Sequence, residues 1–337
     1  MFRATRTTAG LAVCAVLAAL SLAACGDGSK SNGSSGSSGG VKVGLITKTD
    51  TNPYFVKMKE GANKAAGEAG VQLMTASGRF DGDNAGQIAA IENMVNAGAK
   101  GILITPSDSK AIVPAVAKAR AKGVLVIALD SPTEPQSAVD ALFATDNLKA
   151  GQLIGEFAKA KMAGKTPRIA MLDLSPGIAV GNQRHDGFLA GFGVKEGDPA
   201  VVCAQDTSGD QAKGQAAMEN CLQKNPDINV VYTINEPAAL GAYTALKAKG
   251  KEKDVLLVSV DGGCTGTKAV QSGQIAATSQ QYPLAMAEQG VKAVADFARG
   301  GTKAGGYTDT GVTLITDQTQ PGIASKDTAF GLANCWG

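Results

Sequence analysis

Short apolar runs alternate with segments of helical periodicity along most of this chain. The segment 84–97, for example, places Ile88, Ile91 and Val95 on one helical face. Continuous apolar strands separated by helices are typical of parallel sheets that are covered on both faces. The apolar runs that we interpret as strands are 41–47, 71–76, 101–106, 124–130, 168–174, 200–204, 228–233, 254–261 and 275–280.

The alternation occurs in two stretches that join near residues 142–147. At 337 residues the chain is long enough for two domains. We therefore predict an α/β fold of two doubly wound parallel-sheet domains. In this architecture ligands bind beyond the carboxyl ends of the strands, so the functional residues should follow the predicted strands.

Polar side chains, many of them amides and acids, follow these strands. Planar amides, carboxylates and a guanidinium can make paired hydrogen bonds to neighbouring hydroxyl groups, and aromatic rings suit the C–H face of a sugar. No nucleophile lies beside a base, so we expect neither an enzyme nor a cofactor. The candidate ligand-binding residues are Lys48, Asn52, Tyr54, Phe55, Asp130, Arg184, Asn235, Glu236, Asp261 and Gln281.

Several of these residues also have a structural interpretation. Asp130, Asp261 and Asn235 stand where a residue that caps a helix is common. Glu236 is also favoured at a helix N-terminus, and Arg184 is also consistent with a solvated or salt-bridged arginine.

Four other residues receive structural roles. We expect Asp81 and Asp83 to organise a loop, and Trp336 to pack rather than to bind a ligand. The lone His185 has no catalytic companion, and we place it at the surface or behind the site. A chain with 1 histidine also has no multi-histidine metal site, and we predict no metal.

The N-terminus has the pattern of an export signal. Arg3 and Arg6 precede an apolar stretch, 11–22, that is too short for an ordinary membrane-spanning helix. We predict a signal peptide over residues 1–24. Its end, Leu22-Ala23-Ala24-Cys25, resembles the bacterial lipobox.

That resemblance implies a lipid on Cys25. The Gly/Ser-rich sequence that follows is typical of a flexible linker, so we predict that residues 25–40 form a lipid-anchored tether. Two acyl chains are sufficient to anchor the protein to the outer face of the cell membrane. The alternative is a plain signal peptide with an incidental cysteine.

Charge argues against a nucleic-acid partner. Loss of Arg3 and Arg6 with the signal leaves 30 basic residues of the original 32, equal to the 30 acidic ones. A neutral chain lacks the basic face that neutralises phosphates.

Four cysteines follow the predicted lipid attachment site at Cys25. An even number in an exported protein predicts two disulfides, although four cysteines allow three pairings. We prefer Cys203–Cys221, which links a predicted strand to the next helix, and Cys264–Cys335, which fixes the C-terminal tail. The alternative is four free thiols.

Several segments carry a family resemblance. They are TNPYFVKMKEGA (51–62), ALD (128–130), NQRHDGF (182–188), INEPAALGA (234–242), VSVDG (258–262) and ATSQQYP (277–283). With them the chain resembles the periplasmic sugar-binding proteins of the ribose-binding type, which serve ABC importers. Segments 48–62 and 209–243 are similar to the fructose-importer branch.

The resemblance implies a type I periplasmic binding protein fold, with one lobe of residues 41–145 plus 282–310 and another of 146–281 plus 311–337. Three hinge crossings join the lobes, which close on a monosaccharide, here fructose. The resemblance implies that Tyr54 and Phe55 cover an apolar face of the ring. The residues it implies for binding sugar hydroxyls are Asn52, Asp130, Arg184, Asn235, Asp261 and Gln281. The implied partner is a membrane permease, and the protein itself is a monomer.

The chain also departs from the ribose pattern. Ser131 replaces an arginine, Gly209 and Val260 replace aromatic residues, and Lys48 replaces a small hydroxyl residue. These changes favour a hexose or a polyol of similar size as the ligand. The positive charge of Lys48 is also consistent with an acidic ligand. The alternatives are a binder of ribose or another pentose or polyol, a receptor that presents its ligand to a sensor kinase, and an exported enzyme acting on carbohydrate.

Overall fold

The computed structural model describes residues 40–337. The predicted signal peptide, the lipid on Cys25 and the linker up to residue 39 lie outside the described residues. Within 40–337, none of the helices has the length and apolar character needed to cross a membrane.

The described chain alternates strands and helices from Lys42 onward. In chain order the elements are β1 (Lys42–Thr47), α1 (Pro53–Ala69), β2 (Gln72–Ser77), α2 (Asn84–Asn96), β3 (Gly101–Ile104), α3 (Val113–Ala121), β4 (Leu125–Leu129), β5 (Ala141–Ala144), α4 (Asn147–Lys161), β6 (Ile169–Asp173), α5 (Ala179–Phe192), β7 (Val201–Asp206), α6 (Gln211–Lys224), β8 (Val230–Thr233), α7 (Glu236–Ala248), β9 (Leu256–Asp261), α8 (Cys264–Gln271), β10 (Ala277–Gln280), α9 (Pro283–Ala298), β11 (Gly306–Asp309), β12 (Thr313–Ile315) and α10 (Thr328–Asn334).

These strands form two sheets of six strands. The first has the order β11-β5-β4-β3-β1-β2, and the second has the order β12-β10-β9-β8-β6-β7. All neighbours pair in parallel except β10 and β12. Every residue of β3 and β4 is buried, as expected for strands covered on both faces. The prediction of two doubly wound α/β domains is confirmed.

We call the first sheet with its helices the N-terminal lobe, and the second sheet with its helices the C-terminal lobe. The chain passes between them after β5, after β10 and between β11 and β12. Asp309 ties the first passage to the third, because its Oδ1 accepts hydrogen bonds from the backbone N–H groups of Asp146 (3.3 Å) and Gly311 (2.8 Å). The predicted residue bounds of the lobes stay a prediction.

Several elements were absent from the sequence-based assignment, notably β5, β11, β12, α4 and α9. The three strands have only three or four residues each, which gives little periodicity to detect. The predicted strand 124–130 also ends one residue early, because the backbone turns sharply at Asp130.

Both disulfides of the preferred pairing are present. Cys203–Cys221 joins β7 to α6, and Cys264–Cys335 joins α8 to the C-terminal tail. The second disulfide closes a chain separation of 71 residues, so it restricts the unfolded chain as well as the native tail.

Helices α4 and α5 pack at glycine contacts. A Cβ atom at Gly155 of α4 would lie 2.4 Å from the carbonyl oxygen of Phe188 in α5, and one at Gly151 would lie 2.2 Å from the carbonyl oxygen of Arg184. Only glycine permits this approach, which sets the position of α5 relative to the rest of the C-terminal lobe.

Gly155→Ala is expected to lower the free energy of unfolding by about 1–3 kcal/mol, because the helices must separate to admit the methyl group. Chemical denaturation measures the change. Gly67→Ala in α1 is the matched control, since no heavy atom lies within 4 Å of its added Cβ. That variant should gain up to about 1 kcal/mol from helix propensity. Equal effects of the two substitutions would contradict the packing argument.

His185 joins α5 to its surroundings through two carboxylates. Its Nδ1 lies 3.0 Å from Asp173 Oδ1 at the end of β6, and its Nε2 lies 2.9 Å from Glu196 Oε2. The hydrogen bond to Asp173 raises the pKa of His185 to about 9, against the lowering effect of burial. The imidazolium is therefore the form that holds α5 in place near neutral pH.

A raised pKa in the folded state means that the stabilisation from His185 is complete below about pH 6.5 and is lost as the pH rises towards 9. The difference in free energy of unfolding between wild type and His185→Gln should shrink over that interval. Denaturant titrations from pH 6.5 to pH 9 measure it. A difference that does not change with pH would argue against the charged pair.

Candidate functional site

The predicted site residues come from both lobes and meet where the two sheets present the carboxyl ends of their strands. Lys48 follows β1 and Asp130 follows β4, whereas Asp261 ends β9 and Gln281 follows β10. Each of these four residues is at most 4% exposed. Polar and charged groups at this depth must be satisfied by partners or lie against a polar cavity.

Arg184 of α5 connects the two lobes electrostatically. Its Nη2 lies 3.8 Å from Asp130 Oδ1 of the N-terminal lobe, and its Nη1 lies 3.8 Å from Asp261 Oδ1 of the C-terminal lobe. The guanidinium also donates from Nε to Asn147 Oδ1 (2.8 Å) and from Nη1 to the carbonyl oxygen of Ile234 (3.0 Å). Arg184 is therefore a buried, charge-paired arginine rather than a solvated one.

Tyr54 and Gln281 extend this network. The Tyr54 hydroxyl donates to Asp130 Oδ1 (3.2 Å), and Gln281 Nε2 donates to Asp261 Oδ1 (2.9 Å). Burial, and then the negative charge of Asp130, raise the pKa of the Tyr54 phenol well above its ordinary value. The phenol therefore stays protonated and acts as a donor.

The neighbouring Phe55 takes a different place. Its ring packs edge-on against Tyr54, with centroids 5.3 Å apart, and belongs to the apolar core of the N-terminal lobe. Asn52, at the start of the same helix, caps α1 by accepting a hydrogen bond from the backbone N–H of Tyr54 (3.0 Å). The predicted contact of Tyr54 and Phe55 with a sugar ring stays a prediction.

Both acidic residues occupy unusual backbone conformations. Asp130 has φ 63° and Asp261 has φ 146°, regions that a residue with a side chain rarely adopts. At Asp130 the chain makes a tight turn, with the N–H of Ser131 donating to the carbonyl oxygen of Leu129 (2.6 Å). Such strain concentrates at ligand sites and persists only where the surrounding structure enforces it.

The capping interpretation applies to Asn235 and, in a different way, to Asp261. Asn235 caps α7, since its Oδ1 accepts from the N–H of Ala238 (3.1 Å), and its Nδ2 donates to the carbonyl oxygen of Gly209 (3.0 Å). Asp261 Oδ2 accepts from the N–H of Glu236 (3.1 Å), the first residue of the same helix. Asp261 thus supports a helix that follows another strand, while its Oδ1 faces Arg184 and Gln281.

Glu236 uses its carboxylate to hold a loop. Its Oε1 accepts from the N–H of Gly262 (2.8 Å) and from Thr278 Oγ1 (2.8 Å), and its Oε2 accepts from the N–H of Gly263 (3.0 Å). Gly263 is the residue that precedes α8, so Glu236 supports the N-terminus of that helix. Burial, and then the charge of Asp261, raise the pKa of Glu236.

Two charged groups of the N-terminal lobe lie close to the site without a partner of their own. Among residues 40–337, Lys48 Nζ forms no ion pair or hydrogen bond, although the side chain is only 1% exposed. Asp81 Oδ1 is buried without a hydrogen-bond partner in the same part of the chain. Burial raises the pKa of Asp81, and the charge of Lys48 opposes the rise.

The sequence did not distinguish Asp81 from Asp83. Asp83 does organise the loop, because it caps α2 at the N–H of Gly86 (3.1 Å) and accepts from Arg79 Nε (2.8 Å). Asp81 faces a cavity instead. No local pattern separates these roles, since both residues lie in the same polar segment.

A cavity of about 620 Å³ lies between the lobes. Asn52 and Asp81 line it from the N-terminal lobe, and Glu236 and Asp261 line it from the C-terminal lobe, together with Trp336 of the C-terminal tail. Tyr54, Asp130, Arg184 and Gln281 belong to the buried network beside the cavity. Of the other predicted residues, Asn235 caps α7 and Phe55 lies in the core. A cavity of this size, with fixed donors and acceptors on both sides, is suited to a small polar ligand.

Comparison with known proteins agrees with this geometry. Residues 43–302 match the periplasmic binding protein domain family. The ribose import binding protein of Bacillus subtilis (strain 168) is 33% identical over 258 residues, which cover 77% of this chain and 82% of that protein. The D-allose-binding periplasmic protein of Escherichia coli (strain K12) is 30% identical over 267 residues, which cover 77% and 86%.

A solved structure is similar over almost its whole length. The carbohydrate transporter solute binding protein from Agrobacterium radiobacter, in complex with D-arabinose, has a TM-score of 0.75 and 28% sequence identity, covering 84% of this chain and 97% of that one. These relatives are binding proteins rather than enzymes, in agreement with the expectation that this chain catalyses no reaction. With its two lobes, its buried polar network and these matches, the chain belongs to the periplasmic binding protein domain family.

Proposed function

We propose that this protein is the lipid-anchored, extracytoplasmic sugar-binding subunit of an ABC importer, and that its ligand is fructose. The observation that carries the proposal is the buried position of Arg184 between Asp130 and Asp261, one carboxylate from each lobe. A ligand that bonds to this cluster contacts both lobes at once. The relatives, which include a ribose import binding protein and a D-allose-binding protein, support a sugar as that ligand.

The mechanism is closure of two lobes on the sugar. We assign residues 41–145 plus 282–310 to the N-terminal lobe and 146–281 plus 311–337 to the C-terminal lobe. A sugar that binds both favours the closed arrangement by its differential affinity, through rotation at the three passages. The closed pair of lobes is the surface that the permease recognises.

Affinity comes from many hydrogen bonds made together. A neutral hydrogen bond contributes about 0.5–1.5 kcal/mol and one to a charged group about 1.5–3 kcal/mol. In our proposal Asp130 and Asp261 accept from sugar hydroxyls, and Arg184 and Lys48 donate to sugar oxygens. Asp81 Oδ1, buried without a partner at the cavity wall, is a further acceptor.

One position that departs from the ribose pattern, Gly209, supports the proposed preference for fructose over ribose. Gly209 has φ 65°, and a Cβ there would lie 2.7 Å from Asn235 Nδ2, so the aromatic residue of ribose binders has no room. Val260 is fully buried in the apolar core of the C-terminal lobe. The second candidate ligand is ribose or another pentose, which the names of the relatives favour.

The anchor and the partners complete the proposal. The lipobox-like sequence ending at Cys25 supports a lipid at that residue, which would keep the protein at the outer face of the membrane. We propose a monomer that delivers its sugar to a membrane permease.

Isothermal titration of the chain from residue 26 onward tests the ligand directly. The panel is D-fructose, D-ribose, D-allose, D-arabinose, D-xylose, D-glucose, D-galactose and myo-inositol. We expect D-fructose to bind at least about tenfold more tightly than the others, a difference of about 1.4 kcal/mol. Binding confined to a pentose or to inositol would refute the fructose assignment but keep the sugar-binding role. Absence of binding to the whole panel would overturn that role as well.

Asp130→Asn should weaken binding of the preferred sugar by roughly 10- to 150-fold, because hydrogen bonds to a charged acceptor are worth about 1.5–3 kcal/mol. Titration calorimetry measures the loss, and the melting temperature checks the fold. Asp227→Asn is the control, since Asp227 pairs with Arg168 with its side chain 60% exposed. An affinity within threefold of wild type in Asp130→Asn would remove Asp130 from the proposed ligand set.

A further inference from the structure

Trp336 is the only tryptophan of the chain and its penultimate residue. The sequence predicted a packing role for it, and the side chain is indeed only 4% exposed. Its location is the unexpected feature, because the residue lies where the two lobes meet rather than inside one of them.

The tail is attached to the C-terminal lobe at two points. The disulfide between Cys264 and Cys335 fixes the residue before Trp336 to the first residue of α8. The N–H of Cys264 also donates to the carbonyl oxygen of Trp336 (2.9 Å). The backbone of Trp336 therefore moves with α8.

The indole ring contacts the other lobe and a passage between the lobes. It packs edge-on against Tyr54 of α1, with centroids 5.1 Å apart and planes at 77°, and joins the apolar core of the N-terminal lobe. Its Nε1 donates to the carbonyl oxygen of Gln281 (2.9 Å), the residue that follows β10. When the lobes separate, a ring carried by α8 must leave Tyr54.

Trp336 also lines the cavity, together with Asn52 of the N-terminal lobe and Asp261 of the C-terminal lobe. Neither position of the C-terminal lobe where ribose binders carry an aromatic residue supplies one here, since Gly209 has no room for a side chain and Val260 lies in the core. Trp336 brings an aromatic ring to the cavity from the C-terminal tail instead. Aromatic rings bury the C–H face of a sugar efficiently.

We propose that Trp336 is a ligand-contacting residue, and that the Cys264–Cys335 disulfide holds it at the cavity wall against Tyr54. The inference rests on the proposed function, since it assigns a further contact to the same sugar. It makes the C-terminal tail a part of the binding site, with the disulfide as the positioning element.

Titration with D-fructose and D-ribose compares wild type with three altered proteins. Trp336→Ala should bind the sugar about tenfold more weakly, and Trp336→Phe should recover much of the loss, because a phenyl ring keeps part of the apolar contact. The double variant Cys264→Ser/Cys335→Ser should also weaken binding, since it releases the tail while leaving the polar network intact. Melting temperatures check that each protein is folded.

The matched control is Cys203→Ser/Cys221→Ser, which removes the other disulfide, between β7 and α6. It should lower the melting temperature but leave the dissociation constant within twofold of wild type. An equal loss of affinity in both double variants would assign the effect to general destabilisation and contradict a specific role of the tail.

The fluorescence of the single tryptophan gives a readout that needs no substitution. Sugar binding to wild type should shift the emission of Trp336 and reduce its quenching by acrylamide, since the ligand covers the ring. If wild type binds sugar while its emission and quenching stay unchanged and Trp336→Ala keeps its affinity, the inference fails and the proposed function stands. If wild type binds neither sugar, the inference fails together with the fructose and ribose assignments.

Discussion

One guanidinium lies between two carboxylates that belong to different sheets. Arg184 is 4% exposed, and each of its two acidic neighbours lies 3.8 Å away. A buried charge without a partner is costly. Arg184 and Asp261 both belong to the C-terminal lobe, whereas the pairing of Arg184 with Asp130 forms only when the two lobes are close together. The attraction between the lobes and the polarity of the site therefore have the same origin.

The surrounding structure fixes these three groups. Glycine contacts between α4 and α5 set the position of α5, the helix that carries Arg184. Asn147, at the start of α4, accepts a hydrogen bond from Arg184 Nε. Asp130 and Asp261 are held at backbone φ angles that residues with a side chain rarely adopt, and their carboxylates both lie 3.8 Å from Arg184. Within each lobe, side chains held in this way need little local rearrangement when the lobes close on a ligand, which limits the side-chain entropy lost on binding.

The fold and the polar centre of the site followed from the sequence by simple rules. Continuous apolar strands predicted covered parallel sheets, and the carboxyl ends of those strands predicted where Lys48, Asp130, Asp261 and Gln281 would meet. The rules did not separate Tyr54, whose hydroxyl joins the network, from Phe55, whose ring enters the core, because both follow the same proline. They also missed Asp81, Asn147 and the cavity-lining position of Trp336. These depend on loop paths, on the packing between lobes and on a disulfide across 71 residues, none of which leaves a periodic signal.

The central claim is that one sugar molecule is held between the lobes by groups from both. A crystal structure of the protein with its preferred sugar tests this most directly. We predict sugar oxygens within about 3.2 Å of Arg184 and of a carboxylate from each lobe. A sugar bound elsewhere, or contacts with a single lobe while Arg184 faces solvent, would contradict it.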